Sequence, residues 1–440
     1  MQELVQLKTR SHATRPERPP SDRSYVVTRP IPAPSQFSRY RPVVGHPDWA
    51  RLFAEADQLA AELLPTLELP TDRATTWRRR ASSLRTAAEN FVHNARLARS
   101  GRQDFRPLYF IWTTLRACNF RCTYCDDHQG HKYPDLPSPG VLDTARGKRL
   151  LEIMRTRTPS VYFAGGEPTA RKDLPQLTRH ARDLDYYPIV INTNGSLVER
   201  NLRQPAWRTW LADTDVVVVS LDGLDLERLA KLWVYDAPED VLRNVLLLRR
   251  LAGPLRFKLM VNCVIEPDRI DEARAVLDFA NDLGIWFAPV PVNVGPRIAA
   301  GLVDNPDYQR LVATILERKQ AGARIVGSSR MLRRLLTAAP LDCRNVLKPH
   351  LDFDGKLAWP CKASVNVAPE MIDALAFDDV DALWAAARAR VEPTNFHGPG
   401  KNQCGADCNW AQNYTTDAYE HGLQRPWTLL SEVVEFLRAG

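Results

Sequence analysis

Three cysteines, Cys118, Cys122 and Cys125, lie in the octapeptide Cys118-Asn119-Phe120-Arg121-Cys122-Thr123-Tyr124-Cys125. Gaps of three and two residues let one tight loop aim three thiolates at a single small body while leaving a fourth corner without a protein ligand. Thiolate is the preferred ligand of iron–sulfur clusters and of zinc. A second group, Cys343, Cys361, Cys404 and Cys408, supplies four thiolates, enough for one further cluster or one structural zinc. Clustered spacing of this kind argues for metal rather than for disulfides. Cys263, inside an apolar run, reads as a buried hydrophobe.

Four polar motifs accompany the first cysteines: Gly165-Gly166-Glu167-Pro168, Asn192-Thr193-Asn194-Gly195, Ser220-Leu221-Asp222-Gly223, and Asn262 within an apolar stretch. Two glycines let backbone approach a ligand closely, and a carboxylate accepts bonds from an ammonium. The elements that must position these groups are strand-like runs at 108–114, 160–164, 188–192, 216–221, 257–265 and 285–292. Helical patterns lie between them, near 141–156, 173–185, 197–212, 238–252 and 268–282. Six Val- and Ile-rich strands separated by helices imply parallel pairing with right-handed crossovers. In such sheets the site forms at the carboxyl ends of the strands, which is where the cysteine loop and the first three polar motifs fall, while Asn262 stands within the fifth strand.

The order of these motifs, C-x3-C-x-aromatic-C and then Gly-Gly-Glu-Pro one strand later, resembles the radical S-adenosylmethionine (SAM) enzymes over residues 105–295. The resemblance implies an α/β fold, a partial (β/α)6 barrel. It implies a [4Fe–4S] cluster on Cys118, Cys122 and Cys125, whose unique iron chelates the amino and carboxylate groups of SAM. It further implies that Gly165–Pro168, above all Glu167, meet the SAM amino group. Asn192, Asn194, Ser220, Asp222 and Asn262 would supply polar contacts to the rest of SAM, and Tyr124 would pack near the adenine. The hairpin predicted between Cys343 and Cys361, with its turn at Asp354-Gly355, is completed by the close pair Cys404 and Cys408. This layout is similar to SPASM and twitch extensions, and implies an auxiliary [4Fe–4S] cluster on four cysteines in a small C-terminal α+β domain.

At 440 residues the chain exceeds one simple core. It divides into a disordered, Pro-rich arm (1–45), a helical N-terminal extension (46–104), the barrel (105–295) and the C-terminal auxiliary region (296–440). The last holds helical patterns at 305–319 and 329–337 and ends in an apolar helix at 427–437. In the extension, Leu52, Phe53, Ala56, Leu59, Ala60, Leu63 and Leu64 recur at helical spacing. A second stripe, Trp77, Ala81, Leu84, Ala88, Phe91, Val92 and Ala95, is flanked by Arg78, Arg79, Arg80, Arg85 and Arg96. It is expected to be the packed face of a surface helix, with peripheral contact to an anionic membrane as the alternative.

A net charge of +7, from 59 basic and 52 acidic residues, is too slight for a nucleic-acid binder. No apolar run approaches the roughly 20 residues that span a bilayer, and residues 1–40 lack a signal-peptide core. A cytoplasmic enzyme served by an electron donor such as flavodoxin or ferredoxin is expected. Three substrate classes fit: a small natural product undergoing oxidation or C–C/C–X bond formation, a ribosomal peptide receiving a thioether or C–C cross-link, and a lipid or isoprenoid. The class outside enzymes is a zinc-bearing interaction protein. No pattern identifies the acid or base that manages substrate protons; Asp126, Asp127, His128 and Arg297 stand near the rim.

Overall fold

The computed structural model describes residues 47–70, 73–100, 104–125, 140–341, 345–363, 369–391, 408–425 and 427–428. The predicted arm (1–45), Asp126, Asp127, His128, Cys343, Cys404 and most of the predicted terminal helix lie outside these residues. Two helices, α1 (Trp49–Leu63) and α2 (Arg73–Arg99), lead into a sheet whose first six strands run parallel in chain order. These strands are β1 (Tyr109–Thr113), β2 (Ser160–Ala164), β3 (Ile189–Thr193), β4 (Val216–Ser220), β5 (Lys258–Ile265) and β6 (Trp286–Pro291). The crossovers carry α3 (Thr144–Arg155), α4 (Leu174–Asp183), α5 (Val198–Leu202), α6 (Leu226–Trp233), α7 (Pro238–Leu255) and α8 (Ile270–Leu283). Every predicted barrel strand is present within a residue or two of its expected bounds.

Side-chain alternation sorts the strands into two faces. Phe110, Trp112, Phe163, Ile191, Val219 and Val261 are buried on the helix-covered face, and Cys263 joins them as the expected hydrophobe. Asn192, Ser220 and Asn262 project to the other face, the barrel interior. The register pairs Asn192 with Val218 and Ser220 with Asn262.

The helix expected over 197–212 stops at Leu202 and gives way to a 3-10 turn at Pro205–Trp207, because proline cannot donate the next helical bond. The sequence reading overlooked α6. Asp225 caps its first turn through a bond from the Arg228 amide, and Val234 ends it in a left-handed conformation, φ 47°.

After β6 come a short ribbon, β7 (Asn293–Val294) and β8 (Arg297–Ile298), then α9 (Pro306–Gln320) and α10 (Ser329–Leu336). Next are β9 (His350–Leu351), β10 (Lys356–Trp359), β11 (Glu370–Asp373), α11 (Val380–Arg390) and α12 (Tyr414–Gln424). The expected hairpin exists as β9 and β10, turning through Gly355 at φ 85°. Its strands continue the barrel sheet, in the order β11-β10-β9-β1-β2-β3-β4-β5-β6. β9 runs parallel to β1, with Ile111 opposite His350 and Trp112 opposite Leu351. The described C-terminal strands are therefore built onto the barrel edge.

The two N-terminal helices differ in how they pack. On α1 the expected apolar positions Leu52, Phe53, Ala56 and Leu63 are buried. On α2 the expectation is inverted: Trp77, Leu84 and Val92 are 65%, 66% and 49% exposed, while Arg79, Ser83, Asn90 and Asn94 are buried. The reason is the surface that receives the helix, which offers carbonyl oxygens. Arg79 donates to Tyr186 O at 2.7 Å and to the Asp215 carboxylate at 2.8 Å. The Ser83 hydroxyl lies 2.9 Å from Pro159 O. Asn90 donates to Pro107 O and Arg157 O, and Asn94 exchanges two bonds with the Arg106 backbone. All these partners precede β1, β2, β3 or β4, so α2 lies across the amino-terminal end of the barrel.

Candidate functional site

The cysteine loop leaves β1 at its carboxyl end and is fixed by main-chain bonds on two sides. On one side the backbone of the Gly-Gly-Glu-Pro turn zips onto it: Gly166 N donates to Leu115 O and Glu167 N to Ala117 O, both at 2.9 Å. A Cβ on Gly165 would come within 2.4 Å of Leu115 O, and one on Gly166 within 2.1 Å of Ala117 O. The glycines are thus required by the turn's approach to the cysteine loop, whereas the sequence reading had assigned that approach to a ligand. On the other side, Arg121 N and Thr123 N donate to Trp233 O and Leu232 O at the end of α6. Phe120 stacks on Trp233 and Tyr235. This clamp explains why a helix is needed directly after β4.

Glu167 is fully buried at the turn. Its Oε1 accepts from Thr169 N and from the Thr169 and Thr193 hydroxyls, and its Oε2 accepts from Asn194 N at 2.7 Å. Burial pushes its pKa up against the pull of these donors. All four donors are neutral, so the buried carboxylate carries no cationic hydrogen-bond partner among the described residues, and an ammonium is the charge that would complement it. Asp222 is also buried. It accepts from Tyr124 Oη at 2.6 Å, Trp233 Nε1 at 2.8 Å and Val264 N at 2.8 Å. It ties the cysteine loop to α6 and β5, a role that its motif alone did not reveal. Its pKa is likewise pushed up by burial.

Around Cys118 the polar shell is continuous. The Asn194 amide donates to Asn119 Oδ1 at 2.9 Å and reaches Cys118 Sγ at 3.9 Å, and Phe120 N lies 3.4 Å from the same sulfur. Asn119 in turn donates to Ser196. Burial pushes the Cys118 thiol up to about 12, with the nearby Glu167 adding to the rise. The Cys122 thiol is raised further, by burial and then by Asp222 and the two neighbouring cysteines. Thiols held this far from ionisation become ligands only with a cation that displaces their protons. Among the described residues no three His, Cys, Asp or Glu side chains are gathered for a single metal ion.

The interior polar positions converge on the same end of the barrel. Asn192 Oδ1 is buried with no hydrogen-bond partner among the described residues. Ser220 and Asn262 lie half-buried on that interior face. An orphaned acceptor, an ammonium-ready carboxylate and three thiols with no fourth protein ligand in the loop fit a cluster chelated by SAM.

Of the second cysteine group, Cys361 and Cys408 are described, and both are buried. Cys361 follows β10, and Ala363 N lies 3.3 Å from its sulfur. Next to it, the Lys362 ammonium is disfavoured by burial and by Arg116, and favoured by Asp352, Cys125 and Cys361. Nothing in the sequence marked Lys362, Thr169 or Trp233, and Asn119 and Thr193 stood inside motifs without a role of their own; pairings such as Thr193 with Glu167, 26 positions apart, and Asn119 with Ser196, 77 apart, leave no local pattern. Arg297, a rim candidate, lies in β8 opposite Val294.

Residues 112–280 match the sequence profile described as the Radical SAM superfamily. Fe-coproporphyrin III synthase of Methanosarcina barkeri is 35% identical over 123 residues, 28% of this chain and 29% of that protein. The chain's match thus spans less than a third of the synthase's length. A probable GTP 3′,8-cyclase of Saccharolobus islandicus is 27% identical over 266 residues, covering 57% of this chain and 82% of the cyclase. The fold resembles that of Streptococcus suis SuiB bound to S-adenosylmethionine, with a TM-score of 0.51 and 18% identity over 71% of this chain and 75% of that one.

Proposed function

We propose that this chain, whose residues 112–280 match the Radical SAM superfamily, is a radical SAM enzyme that cleaves SAM reductively and abstracts hydrogen from a small natural-product substrate, ending in net oxidation or in C–C or C–X bond formation. Bound at Cys118, Cys122 and Cys125, a reduced [4Fe–4S] cluster would supply the electron that splits the SAM sulfonium into methionine and a 5′-deoxyadenosyl radical. The observation that carries this reading is the clamp that fixes the three-thiol loop between the Gly-Gly-Glu-Pro backbone and the end of α6. Within it Glu167 receives the ammonium of SAM, and Asn192, Ser220 and Asn262 line the interior wall toward the rest of the molecule. Asn194 and the Phe120 amide steady Cys118. Asp222 orients Tyr124 and, through it, the loop.

Cys343, Cys361, Cys404 and Cys408 hold an auxiliary [4Fe–4S] cluster in this reading. A flavodoxin or ferredoxin would supply the low-potential electron. A reducing cytoplasm suits thiolate ligands; among the described residues no helix is long and apolar enough to cross a membrane. The lipid-substrate reading drew on α2, whose exposed stripe lies at the end of the barrel away from the cysteine loop. That geometry favours a substrate drawn from water, a small molecule or a peptide.

Anaerobic reconstitution tests the proposal. Two cubanes require about eight iron atoms per chain, and reduced protein with SAM should release 5′-deoxyadenosine. Iron near four with zinc present removes the auxiliary cluster, and absence of 5′-deoxyadenosine removes the radical chemistry.

A further inference from the structure

The outward face of α2 belongs to no part of the site. Trp77, Ala81, Leu84, Ala88 and Val92 recur at helical spacing and are all exposed. From Trp77 to Val92 the stripe runs about 22 Å, at ~1.5 Å per residue. A soluble surface rarely spends a tryptophan, a leucine and a valine in one row. The opposite face is fully engaged by its bonds to Pro107, Arg157, Pro159, Tyr186 and Asp215. The helix is thus locked in rotation, and it cannot roll the stripe inward.

The charges beside the stripe are almost all of one sign. Arg78, Arg85, Arg96 and Arg99 are exposed along it, against Glu89 alone. Arg78 touches Asp185 at 3.4 Å and Arg85 touches Glu89 at 2.9 Å, both well-solvated contacts that hold little. A second copy of the chain on this face would bring these arginines against their own counterparts, which opposes a symmetric pair. An apolar ridge with tryptophan and arginine beside it matches the boundary of an anionic bilayer, with the ridge among the acyl chains and the guanidinium groups at phosphate depth.

We propose that α2 is a peripheral docking helix for an anionic membrane surface, and that it holds the barrel with its mouth turned away from the lipid. The second half follows from position: α2 covers the amino-terminal ends of β1 to β4, whereas the cysteine loop sits at the carboxyl end of β1. The enzyme would ride on the membrane while taking its substrate from the aqueous side.

Flotation of the full-length protein with vesicles tests this. Wild type should float with vesicles containing phosphatidylglycerol, much less with pure phosphatidylcholine, and progressively less as salt rises. The variant combining Trp77→Ser, Leu84→Ser and Val92→Ser changes only exposed side chains. It should lose at least about tenfold in partitioning while keeping its circular dichroism and its 5′-deoxyadenosine yield. Arg96→Glu with Arg99→Glu should reduce binding to anionic vesicles alone. Hydrogen exchange on vesicles should slow at solvent-facing amides of α2 and not at residues 118–125. The proposal is overturned by failure of wild type to float, by equal flotation with neutral lipid, by unchanged flotation of the triple variant, or by a lipid-free dimer that this variant dissolves. Because the readout is flotation, its failure is separate from any failure to cleave SAM.

Discussion

Replacing Gly166 by alanine probes the contact on which the site rests. The added methyl would lie 2.1 Å from Ala117 O, 2.4 Å from Ala117 C and 2.6 Å from Arg116 O. These are main-chain atoms immediately before Cys118, so no flexible side chain can yield. Reaching even 3.0 Å demands about 0.9 Å of relative movement. If the turn moves, the bonds from Gly166 N to Leu115 O and from Glu167 N to Ala117 O are broken in a buried setting. At about 1–3 kcal/mol each, that is a loss of roughly 2–6 kcal/mol. If the cysteine loop moves instead, Cys118 is displaced by nearly 1 Å, and a shift of that size costs on the order of a hundredfold in rate. The assay is paired: urea unfolding of the protein without metal, then iron content and 5′-deoxyadenosine formation after reconstitution. Gly253→Ala is the control: beyond its chain neighbours nothing lies within 4 Å of a Cβ there and the position is helical, so a helix-propensity gain of up to about 1 kcal/mol is set against the crowding of a Cβ by Pro254, and iron content and rate should stay at the wild-type level. A Gly166→Ala protein with wild-type stability, iron content and rate within threefold would refute the argument that the turn and the loop are one unit.

Three further outcomes are expected. Cys118→Ala, Cys122→Ala and Cys125→Ala combined should abolish 5′-deoxyadenosine formation while about half of the iron remains, measured by iron assay and anaerobic turnover; persistent cleavage would move the site elsewhere. Asn90→Leu should cost about 2–4 kcal/mol in urea unfolding despite the added hydrocarbon, because Pro107 O and Arg157 O lose their donor; a stabilised variant would contradict the polar packing of α2. Asp173 accepts from Arg171 at 2.8 Å and from Thr144 at 2.6 Å. Burial pushes its carboxyl up, but these bonds outweigh it and hold the pKa below the ordinary value. Since the folded value is depressed, the stabilisation is present above the unfolded value of about 3.9 and is lost as pH falls through the folded one. Asp173→Asn should therefore cost about 1–2 kcal/mol at pH 7, discounted for partial exposure, and progressively less below pH 4; a gap that persists at pH 2 would show that the carboxylate charge is not its source.

Much of the architecture was legible because the relevant signals are local. Val216–Ser220 and its five fellow strands are dense in β-branched or aromatic residues, and each is closed by a turn-forming motif. The three-cysteine spacing needs no tertiary knowledge. The face of α2 was misjudged for a physical reason. Periodicity reports that a helix has an apolar stripe, but the partner surface decides which side packs, and the barrel's amino end presents carbonyl oxygens to which Arg79, Ser83, Asn90 and Asn94 donate. Glu167 and Asp222 were placed in the right neighbourhood. Their bonds to Thr169, Thr193, Trp233 and Val264 depend on distances that no motif encodes. The helix α6 was missed because eight residues give too few turns for a clear stripe.

The pairing of β9 with β1 has a consequence for how this protein can be dissected. A strand that donates its edge to a distant segment of its own chain is, without that segment, an open row of amide and carbonyl groups. Cutting the chain after residue 295 to isolate a minimal barrel would bare β1, the very strand that launches the cysteine loop, as a template for pairing with other molecules. The C-terminal strands act as a built-in guard against self-association. The barrel and its appendage are better exchanged between relatives as one block than recombined at their border.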